Sequence, residues 1–314
     1  MSSLMNSAIS YFQSLQDRIC EGLATLDGGT FREDTWQRDG GGGGRSRVLS
    51  GGTVFEKAGV NFSDVHGTLR PDFGGSLPGE GSSFRASGIS LVVHPRNPYV
   101  PTVHANFRRI ERGRVGWFGG GADLTPYYVF PEDAAHFHRT LKGACDAGGA
   151  ATYDRFKRWC DRYFFIAHRN EPRGIGGVFF DYLGAGAEST AREPEAGRAA
   201  FEDDPEATFA FVRGVGDAFL SAYAPIVQAR KEMAYGDRER RWQLHRRGRY
   251  VEFNLVYDRG TVFGLRTDGR VESILMSLPP EVTWEYNYAP PQGSPEAQSL
   301  ERILSRRDWA TEGA

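Results

Sequence analysis

Two histidines, an amide and a guanidinium fall within one short stretch of the chain: His94, His104, Asn106 and Arg108. Imidazole nitrogen can ligate a metal or move protons near neutral pH, and arginine grips carboxylates through paired hydrogen bonds. The apolar run Ile89 to Val93 predicts a buried strand ending on His94. Pro95, Pro98 and Pro101 then keep the backbone extended and exclude a helix, so the chain must turn and return as a second strand, Thr102 to Arg108. Side chains alternate along a strand, which puts His104, Asn106 and Arg108 on one face and Val103, Ala105 and Phe107 on the other. One face is polar and chemical; the other is core. Taken singly, a histidine at a strand end is usually a satisfied structural residue, and the case for chemistry rests on the shared face.

Other elements must hold this face in place. Ile9, Phe12, Leu15, Ile19 and Leu23 recur at helical spacing and predict a helix over about 4–24, with Ser2 or Ser3 as its cap. Residues 39–47, with five consecutive glycines, read as a mobile loop able to approach an acidic ligand; the lysine of a nucleotide P-loop is missing. Gly51 to Ser63 predicts a strand and a turn. His66 falls in a Gly- and Pro-rich loop outside the site. Pro131 to Ala147 reads as a helix with proline and acids in its first turn, and a second helix from about Tyr153 to Asn170 delivers His168 near its end. Gly174 to Asp181 is a tight turn into a buried strand, Val178 to Phe180, and residues 184–205, rich in Ala, Gly, Glu and Pro, read as a solvated insertion. Glu206 to Tyr235 predicts helical structure broken near Pro225, followed by a basic connector. Tyr250 to Tyr257 alternates as a strand, Asp258-Arg259-Gly260 reads as a hairpin turn, and Thr261 to Arg266 returns as its partner. On general grounds the Asp–Arg pair at that turn is a surface salt bridge. Thr267 to Arg270 makes another turn, Val271 to Met276 a further strand, and Ser294-Pro295-Glu296 opens a terminal helix to about Trp309.

Sequential strands with helices before and after them give an α+β class, expected as a single domain over 1–314. A hydrophobic content of 39% supports a sizeable core, and a net charge of -2 argues against general nucleic-acid binding. Lysine occurs only at Lys57, Lys142, Lys157 and Lys231, so arginine supplies nearly all the basic charge. Genomic codon bias is the better explanation of that excess as a whole. Cys20, Cys145 and Cys160 have no C-x-x-C spacing, so no disulfide framework and no radical iron–sulfur centre is expected. The start lacks signal- or transit-peptide character and no run reaches membrane-spanning length, which predicts a soluble cytoplasmic protein.

The string from Ser90 through Arg108, then W-F-G-G-G-A-D-L-T-P-Y-Y, resembles the aerobic (oxygen-dependent) coproporphyrinogen III oxidase family. The likeness continues through His136 to Thr140, His168 to Asp181 and Tyr250 to Leu265, and covers nearly the whole chain. It implies one large antiparallel sheet sandwiched between helices, a homodimer, and a place in haem and porphyrin biosynthesis. The implied reaction is the oxidative decarboxylation of two propionates of coproporphyrinogen III, on rings A and B, to vinyl groups. Molecular oxygen is the co-substrate, no organic cofactor is expected, and the product is protoporphyrinogen IX. The resemblance assigns catalysis to His104, Asp258 and Arg259, and substrate binding to Ser90, Asn106, Phe107, Arg108, Asp258, Arg259, Asp268, Gly269 and Arg270. It also offers His94, His104, His138 and His168 as a divalent-metal set, although their spacing alone is not diagnostic of one. Two positions depart from the family pattern: Tyr182 stands where a second acid is usual, and Asp268 where relatives often carry glycine. Two other classes stay open on the residues alone, a histidine-metal hydrolase or oxygenase and a tetrapyrrole carrier without catalysis.

Overall fold

The computed structural model describes residues 3–69, 77–149, 152–186, 199–266 and 269–311, with the side chains of residues 200, 263 and 266 left aside. Helix α1 (Ser3–Asp27) leads into six strands that pair with their chain neighbours: β1 (Arg32–Gln37), β2 (Gly42–Ser50), β3 (Phe55–Thr68), β4 (Ser83–Pro95), β5 (Thr102–Arg112) and β6 (Val115–Thr125). Helices α2 (Pro131–Asp146) and α3 (Thr152–Tyr163) follow, then the two-residue strands β7 (Phe165–Ile166) and β8 (Glu171–Pro172). Strand β9 (Gly176–Leu183) returns beside β6 and completes an antiparallel sheet of seven strands in the order β1-β2-β3-β4-β5-β6-β9. The regular elements after β9 are helices, among them α4 (Pro205–Asp217), α5 (Phe219–Arg230), α6 (Asp237–Val256), α7 (Arg259–Arg266), α8 (Val271–Leu275) and α9 (Pro295–Leu304). The α+β class and the sheet between helices are as expected. No helix among the described residues is long and apolar enough to cross a membrane.

One face of the sheet is the core. Ala8, Phe12, Leu15, Ile19 and Leu23 of α1 are buried against a sheet face that carries Val60, Leu91, Val93, Val103, Ala105 and Phe107. Each buried Val, Leu, Ile or Phe among them contributes about 1.5–3 kcal/mol, and each alanine less. Gln16, fully buried in the same helix, is tolerated because its amide donates to the Arg45 and Val60 carbonyls at 2.7 and 2.8 Å and its oxygen accepts from Arg45.

The other face is polar, and α6 to α8 with the turn after them roof part of it. Lys57 Nζ donates to the Leu278 carbonyl at 2.9 Å, the Met276 side chain lies over Gly59, and Gln243 donates to the Pro95 carbonyl at 2.9 Å.

The helical roof corrects the expected strands. Tyr250 to Tyr257 and Val271 to Met276 are not strands, and Asp258 to Gly260 is not a hairpin tip. Trp242, Gln243, Arg246, Arg247, Tyr250, Phe253 and Asn254 are buried at three- and four-residue spacing, whereas Leu255 and Val256 are exposed. That is a helical period which the alternation at 251, 253 and 255 mimicked. The Asp258 carboxylate accepts the Thr261 N–H at 2.7 Å, capping α7, so this acid divides two helices rather than two strands.

The glycine run is strand, not loop, from Gly42 onward. A Cβ at Gly43 would stand 2.2 Å from the Trp36 carbonyl, and one at Gly44 would stand 2.3 Å from the Trp36 ring. Helix α3 ends at Tyr163, so His168 sits instead on a one-turn 3-10 helix, Ala167–Arg169. Pro225 lies inside α5, and the helix break falls at Ala218. Proline leaves the carbonyl four residues back without its helical donor; that carbonyl, of Ser221, accepts instead from His136 Nε2 at 2.9 Å. Of the expected insertion, residues 187–198 lie outside the described residues. Its far end is anchored rather than solvated, with Phe201 buried and Glu202 paired to Arg155.

Candidate active site

Cross-strand partners in an antiparallel sheet share a face, so the register lays out the polar floor directly. One row runs Ser46, Asn61, Ser90, Asn106, Gly121 and Phe179. The row on one side of it contains Ser63, Gly88, Arg108 and Gly119; the row on the other contains Val92, His104 and Asp123. Ser90, Asn106, Arg108 and His104 thus lie on one surface, as strand alternation requires. His104 and Arg108 are four residues apart on β5, about 13 Å along the strand. Phe107 does not belong to this surface: it is fully buried in the core on the opposite face.

Gly119 is bare for a reason. A Cβ there would stand 2.4 Å from Asp181 Oδ1 and 2.9 Å from the Arg108 guanidinium carbon. Arg108 Nη2 donates to Asp181 Oδ2 at 2.6 Å and its Nη1 to Asn106 Oδ1 at 2.7 Å, so this pair lies flat over the glycine. Asp181 is buried. The next residue, Tyr182, has φ 57°, a left-handed conformation costly for a side-chain-bearing residue. It coincides with a bulge opposite Gly119, between the pairs Phe118–Leu183 and Gly120–Phe180, which lets Asp181 and Tyr182 both serve the polar side while Leu183 returns to the core.

Asp258 and Arg259 arrive above this point from the roof. Tyr163, stacked on Phe179 with centroids 4.2 Å apart, donates its hydroxyl to Asp258 Oδ1 at 3.0 Å. Arg259 lies over the Tyr163 ring at 4.9 Å, approaches Asp181 Oδ2 to 4.0 Å and donates to the Tyr182 hydroxyl at 3.4 Å. Burial alone would lower the Arg259 guanidinium; Asp181 and Tyr163 more than offset it and keep the group charged. Two cations therefore share one buried carboxylate.

His104 occupies the other end of the floor. Its Nδ1 is 2.8 Å from Asp123 Oδ1, and its ring meets Phe164 edge-on at 5.7 Å. Burial would raise Asp123, but Arg173 and His104 outweigh it and hold the carboxyl below its ordinary range. Arg270 stands at the far edge of the sheet, donating to Asp34 of β1, and Ser273 just beyond it pairs with Ser46 at 2.8 Å. Gly269 closes α7 by donating its N–H to the Gly264 carbonyl at 2.9 Å. Asp268 lies outside the described residues.

The four histidines suggested as a metal set do not converge. His94 is buried, with Nε2 donating to the Ser277 carbonyl at 2.8 Å and Nδ1 facing Thr102 Oγ1 at 3.3 Å; burial holds it well below the usual histidine range. His138 bonds the Tyr153 hydroxyl at 2.8 Å and the Ile175 carbonyl at 3.2 Å, and burial pushes it down to about 3. His168, on the surface, bonds the Tyr257 hydroxyl and Glu252 at 2.8 and 2.7 Å. Both nitrogens of these three are taken by protein atoms, so the set does not fit a divalent ion. Among the described residues no group of three or more His, Cys, Asp or Glu side chains is placed to hold one. A cavity of about 330 Å³ beside Arg109, Phe118 and Thr208 opens on the opposite face and takes no part in the cluster.

Asp123, Tyr163, Arg173 and Asp181 join the candidate site although the sequence reading had not placed them there. The signals available were faint: an acid after the G-G-G-A run, and an acid at the end of V-F-F. The family model described as Coproporphyrinogen III oxidase matches residues 7–309 of the chain.

Proposed function

The chain belongs to the coproporphyrinogen III oxidase family, and from that premise we propose that it is the oxygen-dependent enzyme. It oxidatively decarboxylates the propionates on rings A and B of coproporphyrinogen III to vinyl groups and gives protoporphyrinogen IX. Molecular oxygen is its co-substrate, with no organic cofactor. For each propionate, carboxylate, oxygen and one proton become vinyl, carbon dioxide and hydrogen peroxide.

The observation that carries this reading is the sharing of Asp181 by Arg108 and Arg259 beside Asp258. Among the described residues Asp181 is the one carboxylate within ion-pair reach of either guanidinium, and it lies 4.0 Å from Arg259, so Arg259 keeps donors for a propionate. Asp258 gives one bond-accepting site to Tyr163 and one to Thr261. Each of its oxygens keeps a second lone pair for a pyrrole N–H, which would orient the macrocycle and ease its deprotonation. Arg270, which now holds the half-buried Asp34, is a further propionate ligand, and Ser90 and Asn106 line the floor beneath the ring. Oxygen adds to the electron-rich pyrrole; the resulting peroxide removes the β-hydrogen as carbon dioxide leaves, with burial of the ring excluding water. His104 moves the proton. Tyr182 replaces the second acid with a neutral donor–acceptor that steadies Arg259. Exposed Leu255, Val256, Leu265 and Val271 along α6 to α8 support a homodimer, and we assign the protein to the cytoplasm on the resemblance.

The test is product formation from coproporphyrinogen III in air, by protein stripped of metal, with and without chelator, and again without oxygen. Equal protoporphyrinogen in both aerobic samples and none anaerobically is expected. Product only on restoring metal would return the histidine-metal reading, and binding without product in any sample would leave a carrier.

A further inference from the structure

His104 is held through one ring nitrogen. Nδ1 meets Asp123, and among the described residues no partner reaches Nε2. Asp123 is 1% exposed, and both of its oxygens accept Arg173 Nη2, at 2.9 and 2.7 Å. Arg173 is just as buried; its Nη1 donates to Asn254 Oδ1 at 2.7 Å, and its guanidinium lies 4.1 Å from the Phe164 ring centre, 4.7 Å from Tyr250 and 4.8 Å from Phe253. An arginine can only donate, so Asp123 is an acceptor toward it and, as an ionised carboxylate, also toward His104. A lone pair on Nδ1 would face, at bonding distance, a lone pair of a carboxylate that is itself buried.

We propose that Asp123, fixed by Arg173, locks His104 in the tautomer with hydrogen on Nδ1, making Nε2 the atom that takes a proton from substrate. Asp123 and Arg173 are positioning residues for that step. The inference rests on the oxidase reading and adds an order to it: His104 acts as base before it acts as acid. Nε2 takes the N–H proton of the reacting pyrrole as oxygen adds to that ring, and returns it to the departing peroxide. The pyrrole nitrogen regains a proton from solvent, which is the one proton consumed per propionate.

The experiment is nitrogen NMR of histidine-labelled full-length protein, with the His104 signals identified by their loss in His104→Gln, run beside turnover and binding of the oxidised analogue coproporphyrin III. Wild-type His104 should show hydrogen on Nδ1 and a bare Nε2. In Asp123→Asn, Arg173 claims the amide oxygen and the amide NH2 turns to His104. The tautomer should then invert, with analogue binding kept and turnover reduced by about 10²–10⁴-fold, the range of general acid–base contributions. A wild-type spectrum with hydrogen on Nε2 would overturn the proposal without any variant. Inversion with undiminished turnover, or lost turnover without inversion, would overturn it too. Wild-type protein that never consumes coproporphyrinogen III would sink the oxidase reading instead, while the spectra still decide the tautomer.

Discussion

Adding one methyl group at Gly119 should separate the floor of the site from the charges above it. A Cβ at that position would lie 2.4 Å from Asp181 Oδ1, and Cβ contacts under 3.0 Å essentially never occur, so the carboxylate must retreat by roughly 0.6 Å or more. It cannot swing freely, because it accepts the Tyr182 N–H at 3.0 Å and Arg108 at 2.6 Å; Arg108, 2.9 Å from the new carbon, is displaced with it. Gly119 has ordinary strand backbone, so alanine adds no conformational strain of its own. We expect Gly119→Ala to lower kcat/KM for coproporphyrinogen III by about 10²-fold, the cost of a misplacement near 1 Å, and to cost about 1–3 kcal/mol of stability from overpacking. Steady-state kinetics and urea denaturation measure both. The control is Gly214→Ala on the exposed face of α4, where the nearest atom is 4.0 Å away; it should leave kinetics alone and gain about 0.5–1 kcal/mol. If the loss arises through Asp181, adding Gly119→Ala to Asp181→Ala should do little further harm. A wild-type rate in Gly119→Ala, or full additivity with Asp181→Ala, would refute the reasoning.

His138 provides a pH test. Burial depresses it to about 3, so below pH 6.5 the unfolded chain binds a proton that the folded chain refuses, and stability falls with acid. This one group should cost about 2 kcal/mol between pH 7 and pH 5, a loss that urea midpoints would show shrinking by that amount in His138→Gln. Arg259→Lys keeps the charge but gives up the stacking on Tyr163 and the bond to Tyr182; KM should rise about tenfold with kcat changed far less, and an unchanged KM would remove Arg259 from propionate binding.

Strand alternation made the shared face of His104, Asn106 and Arg108 legible, and apolar spacing did the same for α1, which came out three residues longer at its C-terminal end. Phe107 was the exception within that stretch: alternation placed it in the core, where it lies, against the role borrowed from the resemblance. The roof misled because its aromatic and β-branched residues suit a strand locally, while a partner surface several strands wide selected the helix. The glycine run suggested a loop, since glycine costs most to order. Here the close approach of Trp36 and of the β1 and β3 backbone leaves no room for a Cβ. Asp123 and Asp181 were hidden for another reason. Their meaning lies in partners 50 and 73 residues distant, and no local pattern records such a pairing.

The neighbour-to-neighbour order of β1 to β6 has a consequence for how the molecule is made. Each of these strands pairs with the one before it, across short connections except for residues 69–82 between β3 and β4, so the glycine-lined floor with His104 and Arg108 can zip together from the first 125 residues of a growing chain. Strand β9 must wait for two helices before it docks, and with it come Asp181 and the edge that closes the sheet. Until then β6 offers an unpaired ladder, and Arg108 lacks its counter-ion. The late phase of folding is therefore also the phase most open to mispairing, and slow synthesis between residues 126 and 176 would prolong it.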